Sequence, residues 1–84
     1  MNIVEVYTRP WCGFCSRVKQ LLNSKNISFT EIDVSNNPEL KQTMVEHSNR
    51  RTFPQVFLNG THVGDCMELY DLERKGLFDK LFEN

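Results

Sequence analysis

Ile3-Val4-Glu5-Val6-Tyr7-Thr8-Arg9-Pro10-Trp11-Cys12-Gly13-Phe14-Cys15-Ser16-Arg17-Val18-Lys19-Gln20-Leu21-Leu22 changes its period partway along. Ile3 to Tyr7 is short, apolar and rich in β-branched residues, so it reads as a mostly buried strand. Thr8-Arg9-Pro10-Trp11 breaks that strand, and Pro10 disfavours helix at Arg9. From Gly13 onward, Phe14, Val18, Leu21 and Leu22 fall on one helical face, with Arg17, Lys19, Gln20 and Asn23 on the others. The helix is expected to stop near Ser24-Lys25-Asn26, with Asn26 as a left-handed cap. A Cys-x-x-Cys pair, Cys12 and Cys15, therefore stands where a strand hands over to a helix.

The rest of the chain builds outward from that unit. Ile27 to Val34 reads as a second strand, less regular and nearer an edge. Asn37-Pro38 is an N-cap followed by proline at the first helical position, and the stripe of that helix continues through Leu40, Met44 and His47. Gln55-Val56-Phe57-Leu58 is a third strand, Asn59-Gly60 a type I′ turn, and Thr61-His62-Val63 the returning fourth strand. Asp65-Cys66-Met67-Glu68 has acids at the N-cap and N3 positions of a capping box. Met67, Tyr70 and Leu77 to Phe82 supply further helical apolar positions, interrupted at Gly76. The expected architecture is α/β: a four-stranded mixed sheet, a parallel βαβ unit followed by an antiparallel hairpin, flanked by three or more helices. The strands are too apolar to leave either face wet, so helices should cover both.

At 84 residues, one domain spanning 1–84 is expected. Ten Lys and Arg against eleven Asp and Glu give a net charge of −1, which speaks against charge-driven nucleic-acid binding. No apolar run approaches the roughly 18 residues of a membrane span. Glu5 interrupts the only apolar stretch near the N-terminus, unlike a secretory signal. Three cysteines, Cys12, Cys15 and Cys66, are poor arithmetic for a secreted disulfide framework. A cytoplasmic location is therefore expected, and there Cys-x-x-Cys points to redox chemistry or a metal. Structural zinc needs four ligands, and Cys66, His47 and His62 show no second paired spacing, so no metal site is expected.

The junction activates Cys12. Its sulfur lies beside the unpaired N–H groups of the first helical turn, whose dipole favours negative charge. Arg9 adds a cation. The thiol is expected to ionise below its ordinary value of about 8.5, in the range of about 3.5–7.5 found for such sites, and a thiolate is the nucleophile of disulfide exchange. Cys15 lies one turn deeper, on a neighbouring position, more enclosed and less activated. Cys12 is thus the attacking and Cys15 the resolving thiol. Cys66 reads as a small half-buried residue, His47 as part of a helix stripe and His62 as a hairpin surface residue. Arg50 reads as solvated charge, and Trp11 as a shield for the sulfur and a flat contact for protein partners.

Three stretches give the chain a resemblance to the glutaredoxins, small proteins of the thioredoxin fold. They are Tyr7 to Cys15, Thr52-Phe53-Pro54 followed by Gln55-Val56-Phe57, and Gly60 to Cys66 leading into Leu69-Tyr70. The resemblance implies a glutathione-dependent thiol–disulfide oxidoreductase that reduces protein–glutathione mixed disulfides and protein disulfides. It implies a cis peptide bond before Pro54, turning the Phe53 backbone towards Cys12, with Thr52, Phe53 and Pro54 forming the glutathione groove. Arg9 and Arg51 stand where the family meets the glycyl carboxylate, and Phe14 keeps an aromatic wall. The backbone of Cys66 and Met67 stands where the family meets the γ-glutamyl end, and Glu68 where it meets the ammonium. Glutathione is the implied reductant, and no metal is required. The implied partners are glutathionylated or disulfide-bonded proteins, ribonucleotide reductase among them, and, indirectly, NADPH and glutathione reductase. A monomer is expected.

The chain also departs from the family pattern. Gly13-Phe14 replaces Pro-Tyr between the cysteines, Asp65 replaces the second glycine before the third helix, and Met67 replaces an acid. Asp65 should repel the γ-glutamyl carboxylate unless it turns into its capping box, so weaker glutathione binding is expected. Gly13-Phe14 also resembles the monothiol branch, making an iron–sulfur cluster-binding dimer one alternative. That branch lacks Cys15 and carries an insertion before Cys12 that this chain does not have. A thioredoxin-like reductant served by a flavoprotein reductase is the other alternative, which Trp11-Cys12-Gly13 fits in part.

Overall fold

The computed structural model describes residues 2–83. Its elements are β1 (Val4–Thr8), α1 (Gly13–Ser24), β2 (Thr30–Asp33), α2 (Pro38–Ser48), β3 (Gln55–Leu58), β4 (Thr61–Gly64) and α3 (Cys66–Arg74), followed by a 3-10 turn over Asp79–Phe82. The sheet order is β2-β1-β3-β4. β1 runs parallel to β2 and antiparallel to β3, and β3 and β4 form the hairpin. Asn59 and Gly60 both have positive φ, as a type I′ turn requires.

Alternation along the central strands divides the core in two. Val4, Val6 and Val56 face α1 and α3, packing with Val18, Leu22, Leu69 and Phe78. Tyr7 and Phe57 point to the opposite face, where Met44 of α2 and Val34 cover them. Helices thus cover both sides. Among the described residues, no helix is long and apolar enough to cross a membrane.

Helix ends follow the local chemistry. Asn37 caps α2, its side chain accepting the Leu40 N–H. Asn26 and Gly76, both at positive φ, end α1 and α3 in matching Schellman turns, with Ile27 N–H bonded to Leu22 O and Leu77 N–H to Leu72 O.

Four sequence expectations shift. The buried face of α1 is Cys15, Val18, Leu21 and Leu22; Phe14 lies in the first turn, rotated off that face, and is 50% exposed. β2 is only four residues long, and Ile27 and Phe29 pack on the core from the loop before it. On α2 the stripe runs Leu40, Met44, Ser48, in steps of four, leaving His47 exposed. Ser48 tolerates burial because its hydroxyl donates to Met44 O and accepts the Arg50 N–H. His62 is half-buried, not a surface residue: its Nε2 lies 2.7 Å from Gln55 Oε1 and its ring tilts against Phe57. Burial pushes its imidazole pKa down.

Candidate functional site

Cys12 is the N-cap of α1, and its sulfur takes the place of the usual capping oxygen, accepting the Cys15 N–H at 3.1 Å. The turn that delivers it there includes Trp11 at φ 59°, a left-handed conformation a bulky residue seldom adopts. That turn throws the indole into solvent, where it is 99% exposed. The Cys12 sulfur thus meets one main-chain donor, the Cys15 N–H, at the positive end of the helix. The sheet side of the helix buries Cys15, and the two cysteines form a disulfide with their Cα atoms 5.2 Å apart. Cys12 is half-buried and Cys15 is buried.

Opposite Cys12 runs the segment before β3. The Phe53–Pro54 bond is cis, and the Phe53 carbonyl oxygen lies 3.9 Å from the Cys12 sulfur. Gln55, fully buried at the start of β3, fixes this segment: its amide donates to Thr52 O and Thr52 Oγ1, both at 3.1 Å, and its oxygen meets His62. Gln55 has no sequence signal, because a polar residue opening an apolar strand forms no motif of its own.

A cleft of about 550 Å³ opens between this segment and the start of α3, a volume in the roughly 300–1,000 Å³ range of small-ligand sites. Arg9, Phe14, Arg51, Thr52, Phe53, Pro54, Cys66 and Met67 all line it, and Cys12 adjoins it through Phe53. Asp65 lines it too, and the structure adds Lys41 to its walls. Arg9, Lys41 and Arg51 are without a carboxylate partner among the described ion pairs, whereas Arg50 has two. Arg9 also lies over the Phe53 ring. Lys41 has no sequence signal, since only the packing of α2 brings it to this cleft.

At the far end Asp65 caps α3, accepting the Glu68 N–H at 3.0 Å, while Glu68 accepts the Asp65 N–H in return. Asp65 therefore does turn into its capping box. Glu68 is placed differently from the other expected ligands. It is not part of the cleft lining, and its carboxylate is taken by Arg50, with Nη2 at 3.0 Å from Oε2 and Nη1 on Oε1. Arg50 holds the Glu68 carboxyl at about 2, well below its ordinary value. Arg50 is accordingly an ion-pair partner and not a solvated charge. Cys66 is buried, and burial pushes its thiol up, away from activation. Among the described residues no three His, Cys, Asp or Glu side chains gather as a metal site.

The glutaredoxin family profile matches residues 4–63. Glutaredoxin 3 of Escherichia coli (strain K12) is 40% identical over 83 residues, covering 99% of this chain and 100% of that protein. A glutaredoxin of Pseudomonas aeruginosa is 42% identical over 81 residues, covering 96% of each. The solution structure of glutaredoxin from Brucella melitensis superposes with a TM-score of 0.81 at 51% identity, over 93% of this chain and 85% of that one. A buckwheat glutaredoxin–glutathione complex superposes with a TM-score of 0.85 at 26% identity, over 95% of this chain and 76% of that one.

Proposed function

The chain belongs to the glutaredoxin family, whose membership implies thiol–disulfide oxidoreductase chemistry on a thioredoxin fold, and we propose that its reductant and recognition group is glutathione. One observation supports this reading: a capping sulfur on α1 adjoins a peptide-sized cleft whose walls carry Arg9, Lys41 and Arg51, three cations without carboxylate partners among the described residues. The buckwheat relative, solved as a glutathione complex, supports it.

In this proposal Cys12 thiolate attacks the glutathione sulfur of a protein mixed disulfide. The protein thiolate leaves and takes up a proton, and Cys12 holds glutathione as a mixed disulfide. The thiolate of a second glutathione attacks the bound glutathione sulfur, forming oxidised glutathione and restoring Cys12. With a protein disulfide, Cys12 joins one substrate sulfur and releases the other. Cys15 then attacks Cys12, freeing the substrate and leaving the Cys12–Cys15 disulfide, which two glutathione molecules reduce. Throughout, Arg9 and Arg51 receive the glycyl carboxylate by bidentate hydrogen bonds. The Phe53 backbone pairs with the extended cysteinyl residue as an added strand would, Phe14 supplies an apolar wall, and the α3 N-terminus at Cys66 and Met67 receives the γ-glutamyl carboxylate. Glutathionylated proteins in the cytoplasm, with glutathione reductase and NADPH behind them, are the proposed partners of a monomer.

The test is NADPH oxidation coupled through glutathione reductase, with a glutathione mixed disulfide as substrate. Turnover should depend on glutathione. Turnover supported only by a thioredoxin-type flavoprotein reductase, or a visible cluster chromophore without exchange activity, contradicts the proposal.

A further inference from the structure

We propose that Arg50 is a positioning residue for glutathione: by pairing with both carboxylates of the α3 capping box, it ties the two walls of the cleft together and cancels acidic charge that the γ-glutamyl carboxylate would otherwise meet. The inference rests on the glutathione reading above.

One wall of the cleft is the segment Arg51 to Pro54, and the other is the start of α3. Arg50 belongs to the first by the chain itself, and its N–H is fixed to the buried Ser48 hydroxyl at 3.1 Å. Its guanidinium crosses to the second, with Nη1 3.5 Å from Asp65 Oδ2 and both Nη atoms engaging Glu68. A planar guanidinium can serve two carboxylates at once, where an ammonium is a point charge. Glu68 is held from three further directions. Its Oε1 accepts the Asp65 N–H, its own N–H is capped by Asp65, and its side chain lies against Gly64, where a Cβ would come within 2.9 Å of it. Without Arg50, two unneutralised acids would stand at the helix turn whose N–H groups must receive an anion. The residue therefore explains how a cleft with Asp65 in its wall still presents an anion site.

Steady-state kinetics on two peptide mixed disulfides, one with glutathione and one with cysteinylglycine, separate the possibilities, because the second lacks the γ-glutamyl group. Wild type should favour glutathione. Arg50→Ala should raise KM for the glutathione disulfide about tenfold, the scale of one charge-assisted hydrogen bond, with kcat unchanged and the cysteinylglycine KM unmoved. Arg50→Lys should recover part of the loss. Adding Glu68→Gln to Arg50→Ala should also recover part, because Gln retains the capping-box acceptor and sheds the charge. A purely structural role for Arg50 gives no such rescue. Equal losses on both substrates, a fall in kcat alone, or absence of rescue overturns the proposal. A wild type that prefers glutathione and keeps its KM in Arg50→Ala overturns this inference alone. A wild type that does not distinguish the substrates overturns the glutathione reading and this inference with it.

Discussion

Replacing Cys12 with serine is expected to abolish exchange on every disulfide, and replacing Cys15 is expected to split the activities. Serine at position 12 can still accept the Cys15 N–H, so α1 keeps its cap. Its hydroxyl does not ionise near neutral pH, however, and the nucleophile is lost, a change of several orders of magnitude. Cys15 is buried beside Cys12, and in the proposed mechanism it acts only after a mixed disulfide has formed. Cys15→Ser should therefore keep deglutathionylation within the same order of magnitude while reduction of protein disulfides falls to background. Coupled assays on both substrate types read this directly. If Cys15→Ser removes both activities equally, the division between attacking and resolving thiols is wrong.

The second large effect concerns stability. Phe78 is fully buried among Val4, Val6, Leu22 and Leu69, although it follows the last long helix. Its ring meets Phe82 at 5.2 Å and lies beneath the Lys25 ammonium, and the Schellman turn at Gly76 aims it inward. Phe78→Ala is expected to cost about 3–5 kcal/mol, against a total of roughly 4–13 kcal/mol for a chain of this length. The melting temperature should fall by about 12 °C or more. Leu77→Ala, one residue away and 41% exposed, should change stability by less than about 0.5 kcal/mol. Equal melting shifts for the two variants would show that the segment after α3 does not complete the core.

The fold was legible where period and punctuation agree. Val4 to Tyr7, the change of period at Gly13, Asn37-Pro38, Asn59-Gly60 and the Asp65–Glu68 box each carry a local signal, and each marks an element boundary in the structure. What sequence could not give depends on packing between elements. His47 and Ser48 are neighbours on a helix, and only Ser48 is buried, a choice that the packing of α2 on the rest of the fold makes. Phe14 is apolar and helical, yet it is half exposed and lines the cleft. At the site, the Cys12–Cys15 pair carries its own spacing signal and Arg9 stands close to it in sequence, whereas Arg51 and the Thr52-Phe53-Pro54 groove are marked only by the family resemblance. Lys41, Gln55 and the Arg50 pairing carry neither signal, because each arises from contacts between segments distant in sequence.

Exchange at this site depends on the charge carried by one sulfur at the start of α1. Ultraviolet absorbance of the reduced Cys15→Ser protein, followed across pH, measures it with little interference, since the Cys66 thiol is pushed up by burial. Thiolate absorbance fully developed by about pH 7.5 is the expected result. A Cys12 thiol still protonated above about pH 8, near its unperturbed value, would contradict the account.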